Sequence, residues 1–82
     1  MARMDSVYSA RYRRFREVLV EARKAKGLSQ AALAEKLERL QTFVSKYERG
    51  ERRLDVVEFL DVAAALELDP NKVLRQIAKD GK

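Results

Sequence analysis

The sequence has no cysteine, so disulfides, thiol nucleophiles and cysteine-based metal sites are excluded. It has no histidine either, which removes the commonest metal ligand and the usual general base. No apolar run approaches the roughly 20 residues that a membrane-spanning helix needs, and the charged start MARMDSVYSARYRR is not followed by the apolar segment of a secretory leader. A soluble cytoplasmic protein without a cofactor is the expectation. With one proline and three glycines there is little room for linkers, and no alternating β-branched run marks a strand. Enzymatic chemistry is not expected. Carboxylates are plentiful, but they stand singly among lysines and arginines, with no glycine-rich phosphate loop beside them.

What is present begins with positive charge, unevenly spread over 82 residues of net charge +5. Residues 1–27 hold eight Arg/Lys against three acids, residues 28–54 six against four, and residues 55–82 four against six. A basic front and a slightly acidic back suit a protein that docks one face on a polyanion. The length fits one domain over residues 1–82 with a single modest core. Residues 1–8 read as a flexible N-terminal arm.

Helical periodicity dominates the rest. Tyr12, Phe15, Val18, Leu19 and Ala22 recur at three- and four-residue steps, which predicts a helix from Ser9 or Ala10 to Lys26, stopped by Gly27. Ser29 can cap a second helix of about eight residues, with Ala32, Leu33 and Leu37 buried. A third helix over Gln41–Arg49 closes at Gly50. Asp55 caps a fourth, apolar over a wide arc through Val56, Val57, Phe59, Leu60, Ala63, Ala64 and Leu66, and so expected at the centre of the core. Asp69-Pro70 opens a fifth helix striped by Val73, Leu74 and Ile77. The expected fold class is all-α, a compact five-helix domain.

The stretch Leu28–Gly50, LSQAALAEKLERLQTFVSKYERG, carries the functional signal. Its third helix needs only Val44 and Tyr47 inward and leaves Gln41, Thr42, Ser45 and Lys46 facing out. Two helices joined by a three-residue turn cross steeply, so the first braces the second for insertion into a groove wide enough for a helix. Polar side chains near the start of the projecting helix can then reach base edges, and flanking basic residues can grip phosphates.

These residues resemble the phage-repressor/Cro type of helix-turn-helix regulator, the XRE family. The resemblance runs over roughly residues 11–71, through ARKAKGLSQ, ALAEKL, VSKYERGERRL and VVEFLDVAAALELDP. It implies a lambda-repressor-like five-helix fold with a central helix-turn-helix at about residues 29–49. It also implies a regulator, expected to be a repressor, that binds a palindromic operator in double-stranded DNA as a homodimer. The family's contact positions fall on Gln30, Gln41, Thr42, Ser45 and Lys46. Gln30 suits a phosphate contact that also buttresses Gln41, and Gln41 suits bidentate readout of adenine. Arg49, Arg52 and Arg53, at and beyond the helix end, are expected to clamp phosphates, and Arg39 is expected among the DNA-binding residues. Phe59, Leu66, Val73, Leu74 and Ile77 are the expected dimer contacts, provided that their stripe stays exposed.

Two positions depart from the family pattern. Glu38 stands where a glycine with positive φ is usual, at a cost on the order of 1 kcal/mol. Leu40 stands where a capping serine or threonine, or a proline, is usual, and losing a cap costs about another 1 kcal/mol. A chain of this size fits phage repressors, restriction–modification controllers and antitoxins, the last two working beside a cognate protein encoded nearby. The alternative reading is a helix-turn-helix protein-interaction module, antitoxin-like or adaptor, with little direct DNA readout.

Overall fold

The computed structural model describes residues 9–80, without the side chain of Asp80. The N-terminal arm expected over residues 1–8 lies outside the described residues. The order is α1 (Ala10–Ala25), α2 (Gln30–Leu37), α3 (Gln41–Arg49), α4 (Val56–Ala65) and α5 (Pro70–Asp80), with no strand among the described residues. The expected boundaries hold to within a residue or two because the caps are local chemistry. Ser9 Oγ accepts from the Tyr12 amide at 3.0 Å and Ser29 Oγ from the Ala32 amide at 3.0 Å. At α4, Asp55 and Glu58 exchange side-chain-to-amide bonds at 2.7 and 3.0 Å, a complete capping box.

Four helices end in one way. Gly27, Glu38, Gly50 and Glu67 adopt positive φ. The amide of each following residue reaches back five positions: Leu28 to Arg23, Arg39 to Ala34, Glu51 to Lys46 and Leu68 to Ala63, at 2.8–3.1 Å. This left-handed terminator closes the orphan carbonyls of each last turn. Gly50 is further constrained, since a Cβ there would lie 3.0 Å from the Arg16 guanidinium carbon. Glu38, at φ 58° and ψ 43°, carries the strain expected from sequence. Glu38→Gly is therefore expected to raise stability by about 1 kcal/mol and the melting temperature by roughly 4–8 °C. A thermal melt showing no gain would mean that the Glu38 side chain offsets the strain.

The core consists of Leu19, Leu33, Ala34, Phe43, Val44, Tyr47, Phe59, Val62, Ala63, Leu66 and Val73, so all five helices contribute. Helix α2 packs on α3 and α4, and α1 packs on α3 and α5. Phe15 meets Phe59 edge-on at 5.2 Å, and the Tyr12 hydroxyl accepts from the Leu54 amide at 3.2 Å, which ties the loop after α3 to α1.

The α4 helix corrects one expectation. Only Phe59, Val62 and Ala63 within it are buried; Val56 (74% exposed), Val57, Leu60 and Ala64 face outward. Positions 56, 60 and 64 are four apart, so they share one flank, with Val57 beside them. An apolar count over the whole helix cannot separate this flank from the core face. The dimer expectation is also corrected at three positions. Phe59, Leu66 and Val73 are buried within the protomer, because each fills space between helices. Leu74 is 52% exposed and Ile77 half-buried.

Candidate nucleic-acid interface

Helix α3 is fixed on its inner side by Phe43, Val44 and Tyr47, with the rings of Phe43 and Tyr47 edge-to-face at 5.6 Å. That anchoring turns Gln41, Thr42 and Lys46 to solvent on the outer side, with Arg49 also exposed at its end. Ser45 is half-buried and its hydroxyl donates back to the Thr42 carbonyl at 3.3 Å, leaving its lone pairs as what a partner could use. The three-residue turn Glu38–Leu40 delivers the helix. Leu40, 78% exposed, is its N-cap and offers no side-chain bond, so the first turn of α3 has no side-chain cap and only the Phe43 amide is closed locally, on the Leu40 carbonyl at 3.0 Å.

Beneath this face lies a buried polar junction of α1, α2 and α3. The Glu48 carboxylate, 5% exposed, accepts from Arg23 Nε at 2.7 Å, Arg23 Nη2 at 3.1 Å and Gln30 Nε2 at 2.8 Å. Arg23 Nη1 donates to the Leu28 carbonyl at 2.8 Å, and Arg16 Nη1 to the Glu48 carbonyl at 3.0 Å. Hydrogen bonding to Glu48 holds the Arg23 guanidinium above its ordinary pKa, against the opposing effect of burial. Gln30 thus braces Glu48, not Gln41 as expected from sequence. Arg16 and Arg23 were legible only as charge on α1; the overlooked signal is that both lie on the Leu19 face, at three and four residues from it.

Next to Glu48, the Tyr47 hydroxyl is buried and finds no hydrogen-bond partner among the described residues, and burial pushes its phenol well above the usual range. Tyr47→Phe removes that desolvated group and keeps the ring. Stability is expected to stay level or rise by up to about 1 kcal/mol. A loss of that size in urea unfolding would show that the hydroxyl does useful bonding.

Three of the arginines expected at the DNA, Arg39, Arg49 and Arg52, are held by acids on the protein. Arg49 pairs with Glu51 at 2.9 and 3.1 Å. Arg52 makes a two-pronged contact with Glu58 at 3.0 Å on each prong, and Arg39 reaches the same carboxylate at 3.2 Å. Both guanidinium groups lie over the Phe43 ring, 4.1 Å (Arg39) and 4.9 Å (Arg52) from its centre, and Arg53 lies 4.5 Å over Tyr12. The Arg52 bonds, then the Asp55 amide and Arg39, hold the Glu58 carboxyl down at about 2. This pairing is therefore complete above the ordinary carboxylate pKa and is lost only as pH falls from there toward about 2.

A braced, outward-facing polar helix after a three-residue turn, ringed by arginines, is a helix-turn-helix DNA-binding unit. A helix-turn-helix family model matches residues 19–73, and the chain belongs to the XRE family of DNA-binding regulators. It is similar to an XRE-family like protein from Pseudomonas syringae pv. tomato str. DC3000, at 44% identity over 89% of each chain with a TM-score of 0.84. It is also similar to the restriction-modification controller protein C.AhdI from Aeromonas hydrophila, at 37% identity over 76% of this chain and 94% of that one (TM-score 0.69). A point variant of the restriction-modification controller protein C.Esp1396I matches at 26% identity over 88% and 91% of the two chains (TM-score 0.76). No curated protein matches the chain.

Proposed function

We propose that this protein is a cytoplasmic transcriptional repressor that binds a short palindromic operator as a homodimer. The observation that carries the reading is the split of α3 into an inner face locked by Phe43, Val44 and Tyr47 and an outer face of Gln41, Thr42 and Lys46. In this reading Gln41, Thr42 and Lys46 meet base edges, with Ser45 as an acceptor at the helix flank. Arg39, Arg49, Arg52 and Arg53 grip phosphates, and Gln30 supports α3 through Glu48. The likeness to two restriction-modification controllers favours that role among small regulators, with a cognate protein encoded nearby. Leu74 and Ile77, together with the Val56–Val57–Leu60 flank, supply apolar surface for a second copy.

The test is selection of bound duplexes from a random library, followed by titration against salt. A DNA reader enriches one motif whose half-sites are spaced by about one helical turn. Its log K falls with log salt by nearly one unit per phosphate contact. No enriched motif, or an affinity flat in salt, would favour a protein-interaction module.

A further inference from the structure

We propose that Glu58 sets the discrimination between operator and random DNA, its carboxylate standing in for a phosphate and keeping Arg39 and Arg52 folded over Phe43. Three separate elements converge on that carboxylate: Arg39 from the turn before α3, Arg52 from the loop after it, and Glu58 itself from the first turn of α4. Glu58 is fixed from behind, because one of its oxygens also accepts from the Asp55 amide at 3.0 Å. Its side chain is 13% exposed, whereas those of Arg39 and Arg52 are 43% and 37% exposed. The acid is therefore the anchor and the arginines are the mobile partners, with their outer edges in solvent.

The consequence follows from how the two kinds of complex use arginine. Random duplex is held almost wholly by phosphate contacts, which long flexible side chains make best when free to extend. On an operator, base contacts seat α3, and the arginines need only offer their outer N–H groups from a fixed position. Two guanidinium groups paired to one acid and stacked on one ring keep that fixed position and lose reach. Glu58 thus withholds contacts from the non-specific complex more than from the specific one.

This inference rests on the DNA-reading function proposed above. Glu58→Gln is the informative variant, since glutamine serves equally at this place in a capping box and removes only the charge; circular dichroism and urea unfolding would check that the fold is kept. Random-duplex affinity is expected to rise on the order of tenfold, because two half-exposed ion pairs no longer compete with phosphate. The random-duplex salt slope should steepen by about one to two, while operator affinity changes by much less, so the specificity ratio falls. Glu67→Gln, which removes one charge just beyond the far end of α4, should leave the ratio unchanged, and adding Arg39→Ala and Arg52→Ala to Glu58→Gln should abolish the gain. An equal rise on both DNAs, an equal effect of Glu67→Gln, or an unchanged ratio would overturn the role of Glu58 and leave the DNA-reading function intact. A wild-type protein that enriches no duplex would overturn both.

Discussion

Glu48→Ala is expected to lower the unfolding free energy by about 3–5 kcal/mol, the range for removing one partner of a buried ion pair. The reason is what it leaves behind. Arg23, with a side chain 10% exposed, would keep its bond to the Leu28 carbonyl but lose both bonds to the carboxylate, and Gln30 would lose its acceptor. A guanidinium stays charged at any accessible pH, so it cannot relieve its burial by releasing a proton. Because small domains hold only about 5–15 kcal/mol in total, the variant should be largely or marginally unfolded at 37 °C. Urea unfolding followed by circular dichroism reads the loss directly. Replacing both partners, Glu48→Leu with Arg23→Met, should recover much of it, since the cost lies in the orphaned charge more than in the missing attraction. A loss below about 1 kcal/mol for Glu48→Ala would mean that water reaches Arg23 and that the junction contributes little. The junction also bears on function. It ties α3 to α1 and α2 at the end opposite to the turn, so DNA affinity should fall by more than the unfolded fraction explains.

How much of this was legible in the sequence depends on the range of the physics involved. Helix ends were legible because Ser9, Ser29, Asp55 and Gly50 act on backbone groups within a few residues. The strain at Glu38 and the missing cap at Leu40 were legible as departures from a family pattern, and both appear in the backbone. Long-range pairing was not. Arg23 and Glu48 lie 25 residues apart, and nothing in a local window tells a buried charge from a solvated one. The same blindness let Arg39, Arg49 and Arg52 read as open DNA contacts when each has an acid partner from the protein. In α4, composition suggested burial all round, while geometry gives one flank to the core, another to Glu58 and the arginines, and a third, with Val56, Leu60 and Ala64, to solvent. The outward face of α3 was read correctly at Gln41, Thr42 and Lys46 for a simple reason: with two large apolar anchors three residues apart, helical period decides what faces away.

That face carries the second large effect. Gln41→Ala is expected to weaken binding to the selected operator by about 1–3 kcal/mol and to relax the preference at one base pair. Gln41 is the first residue of α3, it is exposed, and its side chain makes no hydrogen bond to another described residue. Its amide therefore reaches DNA without first breaking a bond within the protein, in contrast to Arg52. A side-chain amide can donate to and accept from one adenine at once, so its removal strands two groups on the base that water must then satisfy. The loss should be largest on the wild-type operator and near zero on random duplex, with the salt slope unchanged, because no phosphate contact is removed. Arg52→Ala should show a different pattern, a similar weakening on the operator and on its single-base-pair variants with a slope shallower by about one, and a smaller loss on random duplex, where Glu58 already withholds the contact. Comparing the two variants on operator, single-base-pair variants of the operator and random duplex separates readout from clamping. Equal losses for Gln41→Ala on all three would show that the amide holds backbone and not base, and would move the reading edge of α3 toward Thr42 and Lys46.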